Sequence, residues 1–516
     1  MTPLLLVVGG VYAILTVLLI GFGANLAYYA FVVWRRPPRA TPSPAGDGPL
    51  PKVTVQLPVY NEMYVSERVI EAACALDYPR DLLEIQVLDD STDATTRIVD
   101  RAVRRARAEG IDIVHVRRDD RTGFKAGALA NGLQRAAGEL VAIFDADFVP
   151  PPDFLHRTVP HFADDEIAFV QGRWGHLNRE QSWLTRLQAL AIDGHFMVEQ
   201  AARGARGYWF NFNGTAGIWR VAAIEDAGGW TADTLAEDLD LSYRAHLRGW
   251  RGRYLEDLVV PGEVPVQMSG FRRQQHRWAR GSLECAIRLG PRIWGSEART
   301  GVRFQATAHL TSYAIHLLLF GVTMLYPFVV LAAAEYPEFR TFFGVAYPFA
   351  LFSLAPIAFF VAGQHRLGRS SWRELPRILS VTLIGPGMMM NTVRAAAQIV
   401  TEPAPEFERT AKFGDDRTTA HEWTHKRYQL GLDRIVFAEL FVGLYALGAA
   451  WLAFQHQNWA VLTYAAIFGT GLLLVSSLTV AQTLVLHRQR AARDSQRDRE
   501  DLALSDLEPT RAATTR

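Results

Sequence analysis

Two clusters of aspartate follow apolar runs of the chain, and their spacing suits the binding of a divalent cation. Asp89-Asp90 come directly after the run at residues 85–88, and Asp145-Ala146-Asp147 come directly after the run at residues 140–144. Carboxylate oxygens are the ligands that Mg²⁺ and Mn²⁺ prefer, and such a cation can neutralise a diphosphate leaving group. Asp also fills ordinary turns, so an Asp-x-Asp pattern alone leaves a turn as the simpler interpretation.

Short β-rich runs alternate with helical runs around these clusters. The predicted strands cover residues 53–57, 85–88, 113–116 and 140–144, and the predicted helices cover residues 65–75, 94–109 and 126–137. This alternation predicts βαβ units and a mostly parallel sheet. Ligands bind at the carboxyl ends of the strands in such sheets, so both acidic clusters are expected at the ligand edge.

Long apolar segments flank this α/β region and predict a membrane protein. Residues 3–34 carry no charge and exceed the roughly 20 residues that a helix needs to cross a bilayer. A signal peptide is the alternative, but the basic n-region is missing and Arg35-Arg36 stand where a cleavage site would be. Further spans are predicted at residues 304–334, 342–363, 435–454 and 460–486, which makes five crossings.

The positions of basic residues predict which segments lie on the cytoplasmic side of the membrane. Basic residues collect after the first span, at residues 365–377 and at residues 488–499, which places these segments in the cytoplasm. Residues 378–400 are apolar but interrupted by Pro, Gly, Asn and Arg, so a helix lying in the interface is predicted there.

The formal net charge of +1 gives no bias toward nucleic acid, and two cysteines give no disulfide framework.

Further motifs accompany the acidic clusters in a fixed order. They are Pro58-Val59-Tyr60-Asn61-Glu62, Lys125-Ala126-Gly127-Ala128-Leu129, Ala236-Glu237-Asp238 and Gln274-Gln275-His276-Arg277-Trp278. From residue 52 to about residue 414 this order resembles the family 2 glycosyltransferases of the cellulose-synthase-like type, with their D, DxD, (T)ED and QxxRW signature. The form of the last motif is similar to that of mannan and glucomannan synthases.

The resemblance implies a role for each matching residue. Asp238 is implied as the catalytic base that deprotonates the acceptor hydroxyl, and Asp145 and Asp147 as ligands of Mg²⁺ or Mn²⁺. The implied donor-binding residues are Tyr60, Glu62, Asp90, Lys125, Asp145, Gln274, Arg277, Thr410 and Lys412. The implied acceptor-binding residues are Trp278, Asn213, Gly214 and Glu237. An inverting displacement needs such a carboxylate, a cation for the departing diphosphate and a guanidinium for phosphate oxygens.

The chain departs from the family pattern at two positions. Ala236 stands where the family has Thr before Glu-Asp, and Phe148 follows the DxD pattern where cellulose synthases often carry a polar residue. Both changes weaken any transfer of cellulose specificity and leave the reaction type untouched. Residues 407–414 resemble the gating loop of cellulose synthase, with Arg409 in place of its Val, and in this form the loop is similar to that of mannan and glucomannan synthases.

The combined prediction is a cytoplasmic GT-A domain of the Rossmann-like, nucleotide-diphospho-sugar transferase type, inserted in an α-helical transmembrane bundle. The predicted parts are a transmembrane helix (1–34), a linker (35–51), the GT-A domain (52–265), QxxRW interfacial helices (266–303), two transmembrane helices (304–363), a cytoplasmic interfacial helix with the gating-loop-like segment (364–433), two more transmembrane helices (434–487) and a charged disordered tail (488–516).

The resemblance implies an inverting hexosyltransferase at the plasma membrane. It would transfer sugar from UDP-glucose or GDP-mannose to a growing beta-linked polysaccharide and export the chain, with an accessory export protein as a further partner. One alternative is a non-processive glycosyltransferase acting on a lipid-linked acceptor. A membrane transporter with a vestigial domain is an alternative of another class, but it would not explain the intact carboxylates. The QxxRW motif beside a downstream membrane cluster favours the polymer.

Overall fold

The computed structural model of the chain describes residues 3–36, 48–336, 347–402, 408–414 and 422–505. Between the first apolar helix and the later ones lies a domain built on a seven-stranded sheet with the order β3-β2-β1-β4-β6-β5-β7. The strands are β1 (Val53–Val59), β2 (Leu83–Asp89), β3 (Ile113–Arg117), β4 (Leu140–Ile143), β5 (Ile167–His176), β6 (Gly217–Arg220) and β7 (Arg251–Gly262).

The α-helices of the chain alternate with these strands and then form the membrane part. They are α1 (Pro3–Trp34), α2 (Ser66–Cys74), α3 (Thr95–Ala108), α4 (Phe124–Leu133), α5 (Phe154–Thr158), α6 (Trp183–Gly194), α7 (Ala201–Arg206), α8 (Val221–Asp226), α9 (Glu237–Leu247), α10 (Met268–Trp294), α11 (Thr300–Leu310), α12 (Ala314–Glu335), α13 (Ala355–Arg366), α14 (Ser371–Gly387), α15 (Met389–Thr401), α16 (Ile435–Gln455) and α17 (Trp459–Ser505).

The predicted α/β architecture is confirmed. The first four strands and the helices α2 to α4 lie within a few residues of their predicted positions. β1 pairs in parallel with β2 and β4, and β2 pairs in parallel with β3, whereas β6 runs antiparallel to β4 and β5. The sheet is therefore mixed, and the sequence did not predict β5 to β7.

Both faces of the sheet are buried, as the β4 side chains illustrate. Leu140 and Ala142 pack into the cluster beneath α2 and α3, whereas Val141 and Ile143 pack into the cluster beneath α4 and α9. A strand that is covered on both faces carries a continuous apolar run, because its alternating side chains all enter a core. With both faces covered, the carboxyl edge of the parallel strands is left for ligands.

Among the described residues, four helices are long and apolar enough to cross a membrane. They cover Val7–Trp34, Ala314–Glu335, Ile435–Gln455 and Trp459–Gln489. The span predicted at residues 304–334 is divided, because α11 ends at Leu310 and packs on the catalytic domain, where the Tyr243 hydroxyl lies 2.7 Å from His309 Nδ1. The third predicted span, at residues 342–363, lies partly outside the described residues; its described part is a 3-10 helix (Tyr347–Leu354) followed by α13.

Residues 378–400, predicted as an interfacial helix, form two consecutive helices, α14 and α15. Their junction packs closely on α17, since a Cβ atom on Gly387 would lie 2.5 Å from the carbonyl oxygen of Gly471. Their position relative to the bilayer stays a prediction.

Helix α10 joins the catalytic domain to the membrane helices. The Arg272 guanidinium is fully buried and forms an ion pair with Glu439 of α16. Arg272 Nε also donates to Thr479 Oγ1 of α17 at 3.0 Å, and Asn391 Nδ2 of α15 donates to the Arg272 carbonyl at 3.0 Å. A buried ion pair of this kind is costly to separate, because each charge would be left without its partner in an apolar environment. α10 is thus firmly held by three helices of the membrane part.

Candidate active site

One cleft at the carboxyl edge of the sheet brings together every residue that the sequence predicts for the site. The residues predicted to bind donor, acceptor or metal, or to act in catalysis, all line it: Tyr60, Glu62, Asp90, Lys125, Asp145, Asp147, Asn213, Gly214, Glu237, Asp238, Gln274, Arg277, Trp278, Thr410 and Lys412. Tyr60, Asp90 and Asp145 follow the ends of β1, β2 and β4, which is why three neighbouring strands deliver them to one place. Their individual roles stay predictions.

Two lysines hold the carboxylates of the Asp-x-Asp motif. Lys125 Nζ lies 2.5 Å from Asp145 Oδ1, and Lys412 Nζ lies 2.6 Å from Asp147 Oδ2. Burial disfavours the charged form of Lys125 and by itself would lower its pKa. The nearby carboxylates, Asp145 first and then Glu237, outweigh this effect, so the pKa of Lys125 is raised. Both carboxylates of the motif are therefore already ion-paired with side chains of this chain.

The carboxylates fit a divalent cation whose other ligands come from substrate. No group of three or more His, Cys, Asp or Glu side chains is arranged to hold a metal within the described ranges. Mg²⁺, however, is commonly held by one or two carboxylates together with substrate phosphates and water. Asp145 and Asp147 supply two such carboxylates two residues apart in one loop, so the donor set suits a cation that binds along with a diphosphate.

Asp238 is the second residue of α9, and the backbone around it is tightly constrained. Gly214 has φ +76°, and a Cβ atom there would lie 3.0 Å from Asp238 Oδ2, so both the conformation and the space favour glycine. On the other side, a Cβ atom on Gly281 of α10 would lie 2.6 Å from the Cβ of Ala236. This close approach of α10 requires a glycine at position 281, opposite Ala236.

The Asp238 carboxyl has a strongly perturbed affinity for protons. Burial, followed by the neighbouring Glu237 carboxylate, raises the pKa of Asp238 to about 7, although Lys125 acts in the opposite direction. A carboxyl whose pKa lies near neutrality can accept a proton more readily than an exposed one and still be ionised part of the time. The geometry and the acidity both suit a general base.

Aromatic side chains form one wall of the cleft. Arg277 and Trp278 project from α10, and the Trp278 ring centroid lies 6.3 Å from that of Trp174 on β5. Phe148 packs edge-on against Trp174 at 5.1 Å and fills the space above Gly262, where a Cβ atom would come within 2.8 Å of its ring. The departure at Phe148 is therefore a packing feature that positions Trp174.

The segment at residues 408–414 contributes Arg409, Thr410 and Lys412 to the lining of the cleft and is held by Glu263, which follows β7. Lys412 donates to the Glu263 carbonyl, and the Glu263 carboxylate accepts from the backbone N–H groups of Phe413 and Gly414 at 3.3 and 3.2 Å. The backbone N–H of Glu263 also donates to Asp147 Oδ2 at 3.0 Å. Glu263 was not predicted as a site residue, because β7 itself was not recognised.

Arg121 is a further cleft residue that the sequence did not single out. Its guanidinium carbon lies 3.4 Å from the centre of the Tyr60 ring, and its Nε is buried with no partner in the part of the chain that the structure describes. Nearby, Arg118 holds Asp90 with two hydrogen bonds of 3.0 and 2.5 Å. The end of the cleft at Tyr60 and Asp90, two of the predicted donor-binding residues, therefore combines an aromatic face with two guanidinium groups.

This sheet and cleft define a glycosyltransferase of the GT-A type, and comparisons with known proteins identify the branch. A sequence model described as "Glycosyltransferase like family 2" matches residues 51–281. Glucomannan 4-beta-mannosyltransferase 1 of Oryza sativa subsp. japonica is 33% identical over 463 residues, which cover 84% of this chain and 84% of that protein. The chain belongs to this family of cellulose-synthase-like hexosyltransferases.

Two other similarities are less extensive. Glucomannan 4-beta-mannosyltransferase 7 of Arabidopsis thaliana is 40% identical over 298 residues, and the match spans about half of each protein, 55% of this chain and 54% of the relative. Among solved structures, a mannosyltransferase from Pyrobaculum calidifontis in complex with GDP-Man and Mn²⁺ is 23% identical with a TM-score of 0.47, covering 70% of this chain and 98% of that one.

Proposed function

We propose that this protein is an inverting mannosyltransferase that transfers mannose from GDP-mannose to the end of a beta-linked polysaccharide. The observation that carries the proposal is the convergence of Asp238, the Asp145–Asp147 pair and Arg277-Trp278 on one cleft. The mannose donor is supported by the names of the related enzymes, which are glucomannan 4-beta-mannosyltransferases. UDP-glucose is the second donor that the sequence leaves open.

Asp238 would act on the acceptor. Its carboxylate removes the proton from the attacking hydroxyl, whose oxygen then bonds to the anomeric carbon on the face opposite the diphosphate. The bond from that carbon to the diphosphate breaks, so the configuration is inverted. Trp278 and Trp174 offer flat apolar faces on which the terminal sugars of the acceptor can stack with the hydroxyl directed at Asp238.

Cationic side chains would hold the leaving diphosphate. Lys125, Lys412, Arg409 and Arg277 all line the cleft, and each can donate charge-assisted hydrogen bonds to phosphate oxygens. A divalent cation held by Asp145 and Asp147 would supply further neutralisation of the departing charge. Donor binding would then draw the two lysines from the carboxylates to the phosphates, so that the site exchanges one set of ion pairs for another.

The membrane placement is part of the proposal: a multi-pass protein of the plasma membrane with its catalytic domain in the cytoplasm. The four apolar helices and the arginines that follow α1 support it. Cysteines introduced at Ser371 and Glu402, which flank α14 and α15, should both react with an impermeant thiol reagent only from the cytoplasmic side. Labelling of the two positions from opposite sides would contradict the interfacial placement. The accessory export protein stays a prediction.

A donor panel tests the activity directly. Membranes that contain the full-length protein would be incubated with radiolabelled GDP-mannose, UDP-glucose or both, and the product would be analysed for length and linkage. The proposal expects beta-linked polymer from GDP-mannose and none with Asp238→Asn. A labelled lipid product of single addition would instead identify the non-processive alternative, and donor consumption without a sugar product would exclude transferase function.

A further inference from the structure

A second cavity lies where the first membrane helix meets the catalytic domain. It has a volume of about 500 Å³, opens to the surface and is lined by the end of α1, α7, β7 and the end of α13. Its lining shares no residue with the catalytic cleft in the described part of the chain. The cavity is therefore a separate feature that the transferase mechanism does not use.

Arginines dominate the lining of this cavity, hereafter the arginine pocket. Arg35, Arg36, Arg253 and Arg366 face it together with a single carboxylate, Glu256. Arg366 is already engaged, because it donates to Glu256 Oε2 at 2.6 Å and to the Val33 carbonyl at 2.9 Å. This ion pair fixes α13 to α1 and β7, and it leaves the other three arginines without a compensating carboxylate in the lining.

The three remaining arginines are exposed, and their guanidinium groups keep N–H donors that can bind an anion. In the ranges that the structure covers, the Arg253 guanidinium has no hydrogen-bond or ion-pair partner. The Arg35 guanidinium lies 5.0 Å from the centre of the Phe31 ring, and Arg36 uses one N–H to reach the Ala205 carbonyl at 2.8 Å. Each guanidinium has five N–H donors. The pocket is thus a concave surface with three unneutralised positive charges.

The position of the pocket indicates which anions it meets. The apolar run of α1 ends at Trp34, whose ring stacks on His365 at 4.9 Å one residue before the end of α13. Tryptophan and arginine at the ends of apolar helices mark the level of the lipid headgroups. Val32 and Val33 supply an apolar side to the pocket, and the Tyr254 hydroxyl in its lining is buried without a partner in the described residues.

We propose that the arginine pocket binds the phosphate of an anionic phospholipid headgroup. Guanidinium groups match phosphate oxygens in pairs, and basic pockets between membrane helices are suited to acidic headgroups. The excess positive charge disfavours zwitterionic lipids, whose own cation would enter the same space. The proposal rests on α1 crossing the membrane. Its readout is lipid binding, so a failure of the proposed sugar transfer would leave it standing.

The test measures lipid retention by the full-length protein. Protein purified in detergent would be titrated with phosphatidylglycerol or phosphatidylcholine, and bound lipid would be counted by native mass spectrometry, with thermal unfolding as a second readout. Wild type should bind phosphatidylglycerol preferentially. Arg253→Gln should weaken that binding about fivefold, and Arg35→Gln combined with Arg253→Gln about thirtyfold, as expected for one and two interfacial arginines.

Arg253→Gln is the decisive variant, because it lies on an exposed strand position and leaves the flanking charges of α1 unchanged. Arg373→Gln is the matched control, since Arg373 is an exposed arginine at the start of α14 that does not line the pocket. It should retain wild-type lipid binding. Equal binding of the two lipids, or wild-type binding by the double variant, would overturn the proposal. Comparable stabilisation by millimolar inorganic phosphate alone would also overturn it, by assigning the pocket to a soluble anion.

Discussion

The raised pKa of Asp238 predicts how the rate of transfer depends on pH. The carboxyl acts as a base only when it is ionised, and with a pKa of about 7 the ionised fraction is about 9% at pH 6 and about 91% at pH 8. The value of kcat/KM for the donor, which reports the free enzyme, should therefore rise about tenfold between these two pH values. A carboxylate with an ordinary pKa near 4 would give no change over the same range.

Substitution of the neighbouring Glu237 should shift the midpoint of the pH–rate profile. The Glu237 carboxylate is the second cause, after burial, of the raised pKa of Asp238. Removing its charge in Glu237→Gln should lower the kinetic midpoint by about one pH unit, the size expected for a nearby like charge. Initial rates would be measured from pH 5.5 to 8.5 at a fixed metal concentration, with the same buffers for each variant.

Two further variants are measured in the same experiment: one removes the proposed base, and the other is a matched control. Asp238→Asn should lose most of the rate, about a hundredfold or more, together with the pH dependence, while nucleotide affinity stays within a few-fold. Asp233→Asn is the matched control, because Asp233 pairs with Arg288 at 2.5 Å outside the cleft lining, and its profile should equal that of wild type. A flat wild-type profile between pH 6 and 8, or an upward shift in Glu237→Gln, would refute Asp238 as the base.

The other predictions concern donor and acceptor binding. Asp147→Asn should abolish the Mn²⁺-dependent part of nucleotide binding, and an unchanged metal dependence would remove Asp147 from the cation site. Arg409→Val, which introduces the residue that cellulose synthase has there, should weaken GDP binding at least about tenfold through loss of one charge-assisted contact. Equal affinity in a titration would mean that Arg409 only packs on the Tyr428 ring, whose centre lies 4.1 Å from its guanidinium carbon. Trp278→Ala should keep nucleotide affinity but make little polymer, whereas Arg277→Ala should weaken donor binding itself. If Trp278→Ala still makes chains of normal length, Trp278 has only a packing role.

The parts of the fold that the sequence predicted are those with a local signal. β1 to β4 are apolar runs separated by amphipathic helices, so their period is visible within short windows. The later strands lack that signal. β6 has only four residues, and β7 mixes exposed, half-buried and buried positions without a strict alternation, because it pairs irregularly with β5 across two register shifts.

The candidate site shows the same limit at the level of single residues. Motif spacing was enough to place Asp145, Asp238 and Trp278 in one cleft. It could not reveal Glu263, whose importance comes from contacts with residues more than a hundred positions away in either direction. Nor could it reveal that Arg121 lies on the face of Tyr60, since that contact depends on how two separate loops meet at the edge of the sheet.

Helix α10 places the cleft and the membrane part on a single rigid rod. Its 27 residues span about 40 Å, with Arg272 fixed between α15, α16 and α17 near one end and Trp278 lining the cleft less than two turns away. Any tilt of the bundle, whether from bilayer thickness or from detergent, would swing the indole and the guanidinium of Arg277 relative to Asp238. The rate of turnover should therefore respond to the lipid environment before the catalytic domain loses any structure. A soluble fragment that ends at residue 281 would keep the QxxRW motif but lose the contacts with α15, α16 and α17 that hold it in place.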